Sequence, residues 1–441
     1  MRTGLSTYSA LGALLAAALV DAGCHCNDMM ETESDGSSTS TSTSTGGETS
    51  TSTTDGTSTS TTGDTTTTST GTTADPSSTT LPETGEVDPC ADFGELCFVL
   101  GPTVLGGVQV GALATIEVGG DEFPDLVAAT AGGLVLLDNA GLGELSMVST
   151  VGAGYAWVDV AVGDIDGDGD PDVVGVGVDK MQMMAPTMLL VVTNEDGVLG
   201  EPTAVPMSDG ASSLALADLS GDGDLDVIAV AEEAGLLALL LGDGGGAFTP
   251  SLTLPCGTAP VDLVVTPIDG DAAADVAVAN FGASSLGVSL VSGGVPGEVK
   301  SFALGGAPRA LVAGSLAKGA RHLISVGEGD DLLEVLVADD VGDLAAVGAY
   351  PLADIPGALA LGDFNGGGTD VAVALRGLAA IGFYLGDGDG NLAPYTTFNV
   401  LADPSALAVG HFNGDNRPDL AVASEGVEGG VRLLLSMTEA P

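Results

Sequence analysis

Positive charge is nearly missing from this chain, which sets nine Lys and Arg against 61 Asp and Glu for a formal charge of −52. Nucleic acids and anionic lipid surfaces are held through basic patches, so both are excluded as partners. Histidine is scarce too, with His25, His322 and His411 far apart in sequence. No H-E-x-x-H, G-x-S-x-G, Walker A or dinucleotide-binding pattern occurs. Ser315-Leu-Ala-Lys318 has the form S-x-x-K, but it lies in an acid-free copy of the repeat described below, where Lys318 stands in for a missing cation. The one apolar run near the start, Ala10 to Val20, is too short to span a bilayer. From Cys97 onward there is no amphipathic-helix periodicity; short apolar runs broken by Gly and Asp indicate an all-β domain.

What the chain has in abundance is a spaced acidic loop. In Asp164-Ile-Asp-Gly-Asp-Gly-Asp-Pro-Asp172, acids occupy positions 1, 3, 5, 7 and 9, and the apolar run Val173-Val-Gly-Val176 follows at once. Carboxylates this close repel one another unless a hard cation sits among them. An all-oxygen set without His or Cys suits Ca²⁺. An EF-hand is excluded, because position 12 is Gly175 and a strand-like run follows in place of a helix. The frame returns as Asp218-Leu-Ser-Gly-Asp-Gly-Asp-Leu-Asp226 and His411-Phe-Asn-Gly-Asp-Asn-Arg-Pro-Asp419, with weaker copies ending at Asp125, Asp275 and Asp370 and an acid-free copy ending at His322. Successive end positions are 47 to 54 residues apart, and seven copies at that period make a repeat architecture. For the weaker loops a plain hairpin turn remains an equal reading.

Each repeat divides into four strands; in the second these are Val158 to Val162, Asp172 to Val178, Met188 to Val192 and Thr203 to Pro206. The last repeat stops at its third strand, while Cys97-Phe-Val-Leu100 precedes the first repeat without a partner. The two ends are complementary. The expectation is a seven-bladed β-propeller of four-stranded blades, closed by the N-terminal strand pairing beside Val431 to Leu435. An open β-solenoid is the alternative.

These units resemble the FG-GAP or VCBS-type repeats of integrin α-chain propellers and of many bacterial surface proteins, over roughly residues 97 to 436. The resemblance implies that positions 1, 3, 5 and 9 bind Ca²⁺ through side chains and position 7 through its carbonyl. Carried over by position, the sites are Asp164, Asp166, Asp168, Asp170 and Asp172 in the second repeat and Asp218, Ser220, Asp222, Asp224 and Asp226 in the third. The seventh offers Asn413, Asp415, Arg417 (carbonyl only) and Asp419, with His411 replacing the first acid. The implied function is a calcium-binding, monomeric interaction module for a protein or glycan. The alternative is a carbohydrate-active propeller enzyme such as a polysaccharide lyase, for which Lys180, Arg309 and Arg376 are the cations outside the metal loops. A partner site is expected where Tyr155 and Trp157 would meet Met181, Met183 and Met184; the other reading is that these side chains plug the axis or cover an edge.

Ahead of the propeller, at 89–441, lie a signal peptide at 1–23 and a linker at 24–88 rich in Ser, Thr and Gly, which cannot bury enough apolar surface to offset its chain entropy. Leu19-Val-Asp-Ala-Gly-Cys24 resembles a bacterial lipobox, which would lipidate Cys24 and leave that anchor as the protein's link to the membrane; Asp21 departs from the pattern, and cleavage after Ala22 is the alternative. The expected location is the outer membrane or cell surface, or else a secreted or periplasmic state. Cys90 and Cys97 are spaced for a small disulfide loop, with two free thiols as the other reading.

Overall fold

The structure is a computed structural model describing residues 96–437, apart from 122, 142, 183–186, 208–209 and 394–395. The segments expected to be signal peptide and linker, with Cys24 and Cys90, lie outside the described residues. Seven four-stranded antiparallel sheets make a seven-bladed β-propeller. Blade 2 consists of Tyr155–Gly163, Asp172–Asp179, Met188–Val192 and Thr203–Pro206, so the expected strands are present and the first is longer at its start. A short hairpin, Asn194–Glu195 with Val198–Leu199, extends the connection between its third and fourth strands.

Every second strand is buried on both faces, which explains why it reads as an unbroken apolar run. In Asp125–Thr130, Leu126 and Ala128 point into the core shared with blade 7. Val127 and Ala129 point the other way, into the core shared with blade 2. This alternation follows from the two-residue period of a strand. Each of the seven junctions between neighbouring blades has its own core of this kind.

Closure occurs in the seventh blade, where Phe98–Val104 pairs antiparallel with Gly430–Ser436, Val99 opposite Leu435 and Leu100 opposite Leu434. Phe98 then reaches across to blade 6, stacking on Phe383 at 4.9 Å and meeting Phe398 edge-on at 5.2 Å and Phe364 at 5.9 Å. The ring is thus joined by a backbone ladder and by an aromatic core, in a chain that has few aromatics to spend.

Trp157 is fully buried in the core between blades 1 and 2, and its Nε1 donates to the carbonyl of Gly152 at 3.4 Å. Gly175 belongs to the same packing problem: a Cβ there would lie 2.6 Å from the indole and 2.8 Å from the carbonyl oxygen of Asp159. The glycine inside the apolar run of strand two leaves room for the indole.

Candidate metal centre and loop face

The ninth position of the acidic loop has a role the sequence reading missed. In blade 2, Asp172 is fully buried; one oxygen accepts the N–H of Ile165 in the loop and the other accepts that of Asn194, just past strand three. Asp125 does the same with Val118 and Asn139, Asp226 with Leu219 and Gly242, and Asp275 with Ile268 and Val291. Asp370 joins Phe364 to Gly386, and Asp419 joins Asn413 to Ser436. One carboxylate therefore ties the loop after strand one to the end of strand three in six blades. In blade 5 His322 takes the place, its Nδ1 accepting from the N–H of Leu316 at 3.3 Å. Burial pushes Asp125, Asp370 and Asp419 up to about 6 and raises Asp172 as well.

The first acid organises the loop. Asp164 accepts the N–H groups of Gly167 and Gly169, and Asp218 those of Gly221 and Gly223 in the next blade. Glycine is required there because Gly167, Gly169, Gly221 and Gly223 all have φ between 78° and 100°. The side chain of Asp170 accepts the N–H of Asp196 in the short hairpin.

Blade 2 brings carboxylate oxygens of Asp164, Asp166 and Asp172 within 4.8 Å of one another, and likewise those of Asp166, Asp168 and Glu195. Asp166 belongs to both groups. Glu195 is an addition the sequence reading did not name; it follows Asn194, whose backbone is held by Asp172, and so the short hairpin carries it over the loop. The only trace of it in sequence is its place in the turn between strands three and four, a turn whose other copies begin with Asp or Ser.

Each of these two groups passes a chemical test for a hard divalent cation: three carboxylates, all oxygen, with the described ion pairs lying on other segments. Blade 3 has Asp218, Ser220, Asp222, Asp224 and Asp226 in the same loop frame, but among the described residues no three of its carboxylates meet that closely. In blade 7 the groups satisfy one another. The Asn413 amide donates to Asp415 and to the Ser436 carbonyl, while the Arg417 carbonyl is 2.8 Å from the His411 ring.

The expected aromatic and methionine surface needs correction. Trp157 is core, and Tyr155 is half-buried against the same cluster. Met181 is 90 % exposed, while Met183 and Met184 lie outside the described residues. The indole turned inward because strand one of blade 2 starts three residues earlier than expected, at Tyr155, and is therefore paired through Trp157 opposite Gly177. The two connections do adjoin: the Lys180 N–H donates to the carbonyl of Gly154 and its Nζ to that of Ala153. Cys97 is disulfide-bonded, and Cys256 is a buried free thiol pushed up to about 12.

A model described as FG-GAP-like repeat matches residues 118–175 and 218–278, which hold the first four acidic loops. No curated protein matches the sequence. Among solved structures, BBS1N in complex with ARL6DN is similar at 13% identity and TM-score 0.54, over 78% of this chain and 98% of that one. A catalytically inactive virginiamycin B lyase from Staphylococcus aureus, with quinupristin, is similar at 13% identity and TM-score 0.50, over 77% and 99%. An Agrocybe aegerita lectin that recognises non-reducing terminal N-acetylglucosamine aligns at 18% identity and TM-score 0.46, over 66% and 80%. At these identities the likeness concerns the fold alone.

Proposed function

We propose that this propeller of FG-GAP-like repeats is a calcium-stabilised interaction module, displayed outside the cell on a Ser/Thr-rich tether and binding a protein or glycan. The observation that carries the calcium reading is the carboxylate cage of blade 2, in which Asp166 is shared between two groups of converging oxygens. Bound Ca²⁺ would supply charge neutralisation and a fixed loop geometry. Asp164, Asp166, Asp168, Asp172 and Glu195 would hold it, beside the carbonyl of Asp170. The loop face then becomes a rigid platform, since the buried ninth aspartate already ties the loop to strand three in six of the seven blades.

The lyase alternative asks for cations free to meet an acidic substrate. Arg309 pairs with Glu328 at 3.3 Å and lies over the Phe281 ring, and Arg376 pairs with Asp403 and Glu425. Among the described residues, neither Tyr nor His lines the axial cavity. Binding is therefore the better supported reading. The test is to probe the full chain against envelope polysaccharides and cell-surface proteins, with calcium and with EDTA. Saturable capture that EDTA weakens is the expected result; turnover of a polysaccharide, or calcium-independent silence in every panel, would overturn the proposal.

A further inference from the structure

The face of the propeller away from the acidic loops holds a second polar centre, on the axis. The first strands of all seven blades surround a cavity of about 310 Å³ there. Six of those strands carry an irregularity in their pairing near this point, for instance between Trp157 and Asp159 in blade 2 and between Pro260 and Asp262 in blade 4. Bulges of this kind re-aim side chains. In blades 2 and 4 the residue delivered to the axis is an aspartate.

Asp159 accepts the N–H groups of Val160 and, across the blade boundary, Leu214; Asp262 accepts those of Leu263 and, across the next boundary but one, Leu311. Between them sits the buried hydroxyl of Ser213, hydrogen-bonded toward both carboxyls. A hydroxyl has a single proton to give, so it can satisfy one carboxylate at a time. Among the described residues Arg309 is the one basic residue lining the cavity, and Glu328 and the Phe281 ring already engage it. What remains is an open-mouthed cavity with two carboxyl groups and spare acceptor capacity. Toward the loop face the axis is lined instead by apolar side chains such as Leu263, Val265 and Leu361.

We propose that this axial cavity binds an organic cation, a guanidinium or ammonium group, between Asp159 and Asp262. A planar guanidinium could donate to both carboxyls at once, the arrangement in which such groups bind most strongly. Burial and the neighbouring Asp159 push Asp262 up to about 7, so near neutral pH its carboxyl is partly protonated, and a bound cation would displace that proton. Among the described residues, the titratable groups lining the cavity are these two and Arg309, which Glu328 pairs from behind. Nothing in this site draws on the calcium loops, so its failure and theirs are separable.

The test uses the full chain in EDTA, titrated in turn with ethylguanidinium, with a glycine peptide containing one Arg, with the same peptide containing Gln, and with CaCl₂. The backbone N–H signals of Leu214 and Leu311, which donate to the two carboxylates, are the readout. Both should shift with ethylguanidinium, and affinity should rise about tenfold from pH 6 to pH 8 as the proton is displaced. Binding of the Arg peptide at least as tight as that of ethylguanidinium would identify a polypeptide side chain as the source; weaker binding would identify a free small cation. Asp262→Asn should weaken binding at least tenfold. Unmoved amides in the wild type, equal shifts with the Gln peptide, equal shifts with calcium, or unchanged affinity in a folded Asp262→Asn variant would each overturn the proposal. If that variant does not fold, the wild-type amide shifts and their pH dependence decide.

Discussion

Replacing Asp226 with alanine would strip acceptors from the backbone N–H groups of Leu219, Ser220 and Gly242. Each donor left buried without a partner costs about 1–3 kcal/mol, so the loss should appear equally in calcium and in EDTA. Asp168→Ala should behave otherwise. Its carboxylate faces the cage of blade 2 and accepts a single loop N–H, from Asp170. Millimolar calcium at an extracellular-type site stabilises by something on the order of 1 kcal/mol, and only that share should vanish. Melting both variants with and without calcium separates the roles; matching calcium dependence would show that they are not distinct. The D-x-D-G-D-G-x-x-D spacing exposed the loops but could not divide the labour within them. A buried acceptor and a metal-facing carboxylate are both written as Asp, and Asp172, bonded to Ile165 and Asn194 while an oxygen of it lies with Asp164 and Asp166, combines the two.

Among the elements, the N-terminal strand bears the heaviest demand. Its pairing with Gly430–Ser436 was legible because one end of the chain lacked a strand and the other had a spare. The aromatic contacts behind it were not, since Phe364, Phe383 and Phe398 are far from Phe98 in sequence and no local period links them. Phe98→Ala should cost about 3–5 kcal/mol through lost burial and the cavity left behind. Denaturant melting measures this, and a cost below about 1 kcal/mol would mean that the ladder alone closes the ring. Trp157 shows the opposite limit. Sequence spacing placed it in a connection, whereas the longer first strand of blade 2 draws it into the core opposite Gly177. Strand ends are where a two-residue period is least informative, and a shift there decides whether a side chain meets solvent or a neighbouring blade.

For the molecule as a whole, acidity and calcium should act on the same charge. Asp125 and Asp370 are pushed up to about 6 and Asp262 to about 7, whereas the same groups in an unfolded chain titrate near 3.8. The folded state then binds more protons between these values, so stability is fully present below about pH 4 and is lost as pH rises through 6 and 7. His322, lowered by burial, opposes this below about 6.5 as a single group. In EDTA the melting temperature should therefore rise on acidification from pH 7.5 to pH 5, with relief of the −52 formal charge adding to it. A fall would show the buried carboxylates to be ionised at little cost. The most direct test of the calcium-stabilised propeller is the melting temperature of the full chain in EDTA and in millimolar CaCl₂, with Asp166→Asn beside the wild type. Calcium should raise the wild-type value by on the order of 1–3 °C per occupied loop, and Asp166→Asn should lose the share of blade 2. Superimposable wild-type curves with and without calcium would contradict it.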